Sequence, residues 1–416
     1  MTLSGIGRFS RAFVVSMAVV LGMSACGGYT VGFMWVTGAQ YSQIAGFKID
    51  DYTGNLTTMV NSPYGSGGSD PVSIVVKVGG NFVFVVNKGT FNSSGVSNGD
   101  GNVSVFAVGE DGVLTFEQSY ATAGGPHSWP VWATTDQTGG FLYVLDSQAP
   151  DYNGTTNLDG DITVFAVDPN TGRLQLVPNQ LIKNAAGQLL NYFPVGKAPT
   201  MFRVGGSCLY TLDSGDQTVY PYGLGSGGQL TIEPNSTIPL DTVNATSLNV
   251  YGNSIYITDA GMTLPGTTTV GAILPYSPGA GCSLSVQADG AVANLPLTYN
   301  PVYSLTETKG RFLYVLNHSS TNSNYANSTI SAFVIESTGQ LQPISDPNNP
   351  YPVGSGPVCM VEDPSNQYLF TSNTDGSVTG KYINQNTGQL SDLTRGSSFT
   401  AFAAQATCLG VSGNVD

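Results

Sequence analysis

The stretch "LYVLN" (313–317) is a short apolar run, aromatic at its second position, that ends on a polar residue. Six other stretches repeat it: "MWVTG" (34–38), "VFVVN" (83–87), "LYVLD" (142–146), "LYTLD" (209–213), "IYITD" (255–259) and "LFTSN" (369–373). The aromatic column is Trp35, Phe84, Tyr143, Tyr210, Tyr256, Tyr314 and Phe370, at spacings of 49, 59, 67, 46, 58 and 56 residues. That is the range of propeller blades rather than of helical solenoids.

Each copy has the same neighbours. Downstream lies an alternating run such as "VSVFAV", "ITVFAV" or "ISAFVI", whose period of two marks a half-buried strand. A turn and a further strand follow at "TGNL" (53–56), "DGVL" (111–114), "TGRL" (171–174), "GGQL" (227–230) and "TGQL" (338–341 and 387–390). The glycine supplies the positive φ that such hairpins need. The fifth copy carries the looser "GAGCSL" (279–284) there. Upstream of six copies is one more strand, at "PVSIVV" (71–76), "PVWATT" (130–135), "PTMFRV" (199–204), "ATSLNV" (245–250), "PVYSLT" (301–306) and "PVCMVE" (357–362). Four strands per copy, lettered a to d, make a blade.

The first copy lacks its a-strand, and "ATCLGVSG" (406–413) at the other end of the chain supplies one. A last strand that completes the first blade closes a ring and removes open sheet edges. The expected fold is all-β, a seven-bladed β-propeller spanning 31–416. Leu409 and Val411 should then pack between blades 7 and 2.

Ahead of the ring, Arg8 and Arg11 precede a 14-residue apolar run (12–25) too short to span a bilayer. It ends "MSAC", which resembles the lipobox of bacterial lipoproteins. We therefore expect 1–25 to be a lipoprotein signal peptide, Cys26 the lipidated residue, 26–30 a short linker, and the location the cell envelope (periplasm or outer membrane). The whole chain has a formal charge of −14, and −16 without residues 1–25. With no basic cluster, nucleic acid is excluded as a partner.

Four cysteines remain, with no C-x-x-C pair, so a zinc site is not expected. Cys208 follows the a–b turn of blade 4 and Cys282 lies in the c–d turn of blade 5. Both turns are on one face in adjacent blades, so a Cys208–Cys282 disulfide is expected. Cys359 and Cys408 share a column in blades 7 and 1, facing the same way round the ring. Their side chains are expected not to converge.

The strings "LYVLN", "ISAFVI", "TGQL" and "DPSNQYLFTSN" (363–373) resemble the YVTN-type lactonase propellers, which include 6-phosphogluconolactonase-like proteins and muconate cyclases. The resemblance implies the propeller fold and, in catalytic members, a histidine directly after the proline that opens an a-strand, with "PRH" in another blade. Here the proline in register in blade 3 is Pro130, followed by Val131 and Trp132, and "PHS" (126–128) lies four residues out of register. Pro199 is followed by "TM". The catalytic set does not carry over, and His127 reads as a loop residue at the mouth of the ring.

Other motifs are read as turns. "GLGSGG" (223–228) precedes a strand rather than a helix, unlike a dinucleotide site. "GVSNG" (95–99) lacks the strand-to-helix context of a nucleophile elbow. The loops "SNGDGN" (97–102) and "NLDGD" (157–161) lack a full calcium-loop spacing, so no metal or other cofactor is assigned.

The b–c connections are long in blades 2, 3, 5 and 6, which concentrates loop on one face. Binding residues usually sit on such loops. Trp129, Trp132 and His318 are assigned to that ligand face. The expected function is a lipid-anchored envelope propeller binding a protein or glycan there. The alternative is a carboxylic ester hydrolase acting on a sugar lactone, with His127, Arg203 and Asp213 as the catalytic candidates.

Overall fold

A computed structural model of the chain describes residues 29–184, 186–233, 237–264, 270–287, 290–293, 299–319, 325–402 and 405–413. The expected leader and Cys26 lie outside the described residues. The described chain forms seven antiparallel sheets, six built from one sequence repeat each and the first completed by the last strand of the chain. In blade 3 the a to d strands are Pro130–Thr135, Phe141–Asp146, Asp159–Val167 and Leu174–Leu176. In blade 4 the a and b strands are Pro199–Gly205 and Cys208–Asp213.

Closure is as expected from the sequence. Ala406–Gly413 pairs with Thr30–Gly38, bringing Val36 opposite Leu409 and Met34 opposite Val411. Leu409 packs with Tyr368 and Phe370 of blade 7. Toward blade 2, Thr407 donates its hydroxyl to the Pro71 carbonyl, while Ser372 of blade 7 donates to the Thr407 carbonyl. The terminal strand is thus bonded on three sides, to its own blade and to both neighbours.

The aromatic column is buried, and three of its members bond their blade to the next. Trp35 donates its indole N–H to the Gly112 carbonyl, Tyr256 its hydroxyl to Gly339, and Tyr314 its hydroxyl to Gly388. Each acceptor is the glycine of the following blade's c–d turn. Two residues before the aromatic stands a second column, Phe33, Phe82, Phe141, Cys208, Ser254, Phe312 and Tyr368. A Cβ added at Gly112, Gly172, Gly228 or Gly388 would come within 2.5–2.6 Å of the phenylalanine ring of the preceding blade. Glycine is needed there for close approach as well as for its positive φ.

Blade 5 breaks this pattern. Cys282 occupies its glycine position, at φ 53°, and is disulfide-bonded to Cys208, the residue in the facing phenylalanine column of blade 4. The expected pairing is present, with Cα atoms 5.7 Å apart.

The expectation for the other two cysteines is corrected. Cys359 and Cys408 are also disulfide-bonded, with Cα atoms 5.1 Å apart. Equal orientation does not keep the side chains apart, because the innermost strands lie on a small circle. There the residue two after the opening position reaches the next blade: Met201 Sδ accepts from the Leu248 N–H, and Ser247 shares a hydrogen bond with Ser304. The disulfide ties blade 7 to the closing strand, a covalent clasp at the seam.

Sequence reading also missed a short fifth strand. In every blade but the second, the chain returns after strand d and pairs with c, as Phe193–Lys197 does in blade 3. These pieces are two to five residues long. Such segments are too short to show a period of their own.

Candidate functional site

Every a-strand begins with an irregularity. Its ladder to strand b slips between the opening residue and the second residue after it in six blades, and between Ala406 and Leu409 in blade 1. A bulge of this kind turns the extra residue out of the ladder and re-aims its side chain. The residues directly after the opening position are Val72, Val131, Thr200, Thr246, Val302, Val358 and Thr407. They lie at the long-loop end of the central strands, and none carries an ionisable group.

Over two of them lies a cleft of about 460 Å³. Val131 and Thr200 line it, with Lys88 from blade 2 and Trp129, Ser147, Gln148 and Tyr152 from blade 3. Lys88 Nζ sits 4.7 Å above the Trp129 ring, and Phe91 stacks against the same indole at 5.6 Å. The Trp129 Nε1–H is buried with no acceptor among the described residues. Among the described residues, Lys88 is the one charged side chain lining the cleft. Its position over an aromatic face is a cation–π contact.

Beneath the cleft is a stack of buried carboxyls. Asp146 ends strand b of blade 3 and faces Asp161 across the ladder, both fully shielded from solvent. Asp146 Oδ1 accepts from the Trp129 N–H at 2.8 Å and from Thr122, which fixes the loop that presents Trp129. Burial pushes the Asp146 carboxyl up to about 7, and burial together with Asp146 raises Asp161 well above the ordinary range. The second oxygen of each has no hydrogen-bond partner among the described residues. In blade 2 the same two positions are Asn87 and Asn102, joined by a 3.0 Å amide hydrogen bond. The polar end of strand b is therefore a loop anchor around the ring: Asp259 accepts from Val243, Asn244, Gly261 and Met262 in blade 5.

The three catalytic candidates do not line one cavity. His127 is in a single turn, Gly125–His127, with its ring 6.4 Å from that of Tyr152. Asp213 is buried at the end of strand b, accepting from Thr211. Arg203 pairs with Tyr210, whereas Asp213 pairs with Pro199. Three residues of strand b, about 10 Å, therefore separate Arg203 from the Asp213 end of the hairpin. Of the ligand-face residues, Trp129 lines the cleft, while Trp132 lines a separate cavity in the channel. His318 stacks on Tyr325 at 4.2 Å and shares a 2.8 Å hydrogen bond with the Pro357 carbonyl, and burial lowers its basicity.

"GLGSGG" is a turn and "GVSNG" a loop, as expected, whereas "NLDGD" (157–161) is no turn: its last three residues open strand c of blade 3. Ser97 donates to the Ser128 carbonyl and is buried. Gly227 and Gly228 take positive φ in a tight turn. Asp100 accepts from the backbone and hydroxyl of Thr90 within its own loop. Among the described residues, no group of three or more His, Cys, Asp or Glu side chains could hold a metal ion.

Residues 29–189 match the sequence model of the family described as "Lactonase, 7-bladed beta-propeller". Over that stretch, less than half of the chain, the sequence is similar to the lactonase propellers. Solved structures of the same fold include a putative 6-phosphogluconolactonase from Bacteroides fragilis, 17% identical, with a TM-score of 0.67 over 92% of this chain and 98% of that one. A periplasmic gluconolactonase from Pseudomonas aeruginosa is 15% identical, with a TM-score of 0.66 over 92% and 99%. A protein from Lactobacillus plantarum is 15% identical, with a TM-score of 0.67 over 92% and 100%. At these identities the likeness is one of fold. No curated protein matches the chain.

Proposed function

We propose that this lactonase-like propeller binds a sugar-like ligand, free or as part of a glycan, in the Trp129 cleft and does not hydrolyse it. The observation that carries this reading is the ring of bulged residues at the mouth. Lactone hydrolysis needs a group to activate water and a donor to stabilise the developing oxyanion. Where the family resemblance puts titratable side chains, the cleft floor has Val131 and Thr200. What lines the cleft instead is an aromatic wall with hydroxyl and amide groups, Ser147, Gln148 and Thr200, and one lysine. Such a surface suits a polyhydroxylated ligand: apolar faces pack on rings and hydroxyls exchange hydrogen bonds.

The experiment is a titration of the chain with an oligosaccharide and sugar-acid panel by calorimetry, repeated on Trp129→Ala. Saturable binding weakened at least tenfold by the substitution supports the reading. Full affinity in Trp129→Ala would remove the cleft from the account. A second reading, a sugar lactonase, is favoured by the family match itself, and turnover of an aldonolactone dependent on His127 or Arg203 would establish it.

We propose further that the propeller is exported and held in the envelope through Cys26. The two disulfides support an oxidising compartment. Mass spectrometry of the mature N-terminus decides this: an acylated Cys26 is expected, and an unmodified start elsewhere contradicts it.

A further inference from the structure

The channel holds a second cavity, of about 340 Å³, away from the long-loop face. It is lined by the later residues of the a-strands, so it opens at the end where the short a–b turns lie. Val131, the bulged residue, lines the cleft, and its neighbour Trp132, back in the ladder, lines this cavity.

Among the described residues, Arg203 is the one charged side chain lining this cavity. Its guanidinium lies 4.6 Å from the centre of the Trp132 ring and 5.6 Å from that of Tyr303. It donates to the Tyr303 hydroxyl at 3.0 Å and to the Phe202 carbonyl at 3.2 Å. A guanidinium has five N–H donors in a planar fork suited to a carboxylate, so two bonds leave it unsaturated. Nor is its charge met: the ion pairs among the described residues are Lys48–Asp111, Arg311–Glu307 and Lys381–Asp392. Arg203 is in none of these pairs, and unlike the other described unpaired arginines, Arg173 and Arg395, it lines the channel cavity. The wall also carries the polar side chains Ser73, Thr134, Asn249 and Ser304, beside the aliphatic Ile74, Leu305, Val361 and Val411.

A fixed cation held between two aromatic rings, facing a partly aliphatic chamber open at one end, matches a ligand with one anionic head and an apolar body. We propose that this cavity is a binding site for a small organic monocarboxylate, its carboxylate held by Arg203 and its hydrocarbon against the aliphatic wall. The site is separate from the Trp129 cleft and does not depend on what that cleft binds.

The test uses three probes on the full chain, by calorimetry at neutral pH: hexanoate, hexanol and acetate. Saturable one-to-one binding of hexanoate is expected, with hexanol and acetate each at least tenfold weaker, since each lacks one half of the match. Arg203→Gln should weaken hexanoate at least tenfold, Arg203→Lys less, and Trp129→Ala not at all. Hexanol binding as well as hexanoate would overturn the role of the charge. Acetate binding as well would reduce the site to a simple anion site. No binding of hexanoate at millimolar concentration would overturn the proposal altogether. Because the three-probe comparison is made on the wild-type chain, it decides the matter even if Arg203→Gln fails to fold.

Discussion

Cys208 and Cys282 stand at the two positions that, between most other neighbouring blades, hold an aromatic ring and the glycine beneath it. A disulfide has replaced a ring-on-glycine contact at one joint of the propeller. The buried Tyr210 hydroxyl, at the joint where other blades bond a turn glycine, has no partner among the described residues.

The replacement is reversible in principle. Cys208→Ser with Cys282→Ser opens a loop of about 75 residues, worth roughly 4 kcal/mol in the chain-entropy model. It also leaves a side chain at positive φ. Cys208→Phe with Cys282→Gly restores the contact used elsewhere and relieves that backbone. Denaturant midpoints under non-reducing conditions should rank wild type above Phe/Gly, and Phe/Gly above the double serine. Equal midpoints for the two double variants would mean that the column has no energetic content.

The Asp146–Asp161 pair makes stability depend on pH. Burial raises both carboxyls, so the folded chain holds protons that the unfolded chain releases from about pH 4. Stability from this source is complete below about pH 4 and is lost as pH rises toward and through 7, by at most about 1.4 kcal/mol per pH unit for each carboxyl. Asp161→Asn copies the asparagine pair of blade 2. It should raise the melting temperature at pH 8 and leave it little changed at pH 4. A variant that is less stable at pH 8 would show that the pair is not strained by charge.

Deleting 405–416 removes the strand bonded to blades 1, 2 and 7 and cuts the Cys359–Cys408 clasp. The edge of Thr30–Gly38 is then open, a template for aggregation. The truncated chain should be insoluble or melt far lower. An unchanged melting temperature would contradict ring closure by this strand.

Much of this was legible in the sequence. The seven apolar runs, the turn glycines and the displaced last strand follow from period and spacing, which the backbone enforces directly. The Cys208–Cys282 link followed from two turns sharing a face. Cys359–Cys408 did not, because a column shows which way a residue points but not how close neighbouring columns lie near the axis. The cleft was legible in part. Val131 and Thr200 could be placed in register, but Lys88 and Tyr152 come from long loops whose course has no periodic signal. Arg203 could be placed on its strand, yet its stacking between Trp132 and Tyr303 joins blades 3, 4 and 6 across the channel. Only the closed ring creates that contact.

The central claim is that the cleft binds without turning over. Its most direct test is to add excess glucono-δ-lactone, and separately its 6-phosphate, to the wild-type chain and to follow lactone and acid by NMR. The account predicts that each lactone disappears at the rate measured in buffer alone, and that any ligand line broadening is lost in Trp129→Ala. A hydrolysis rate that rises in proportion to protein concentration, and falls in His127→Ala or Arg203→Ala, would contradict it.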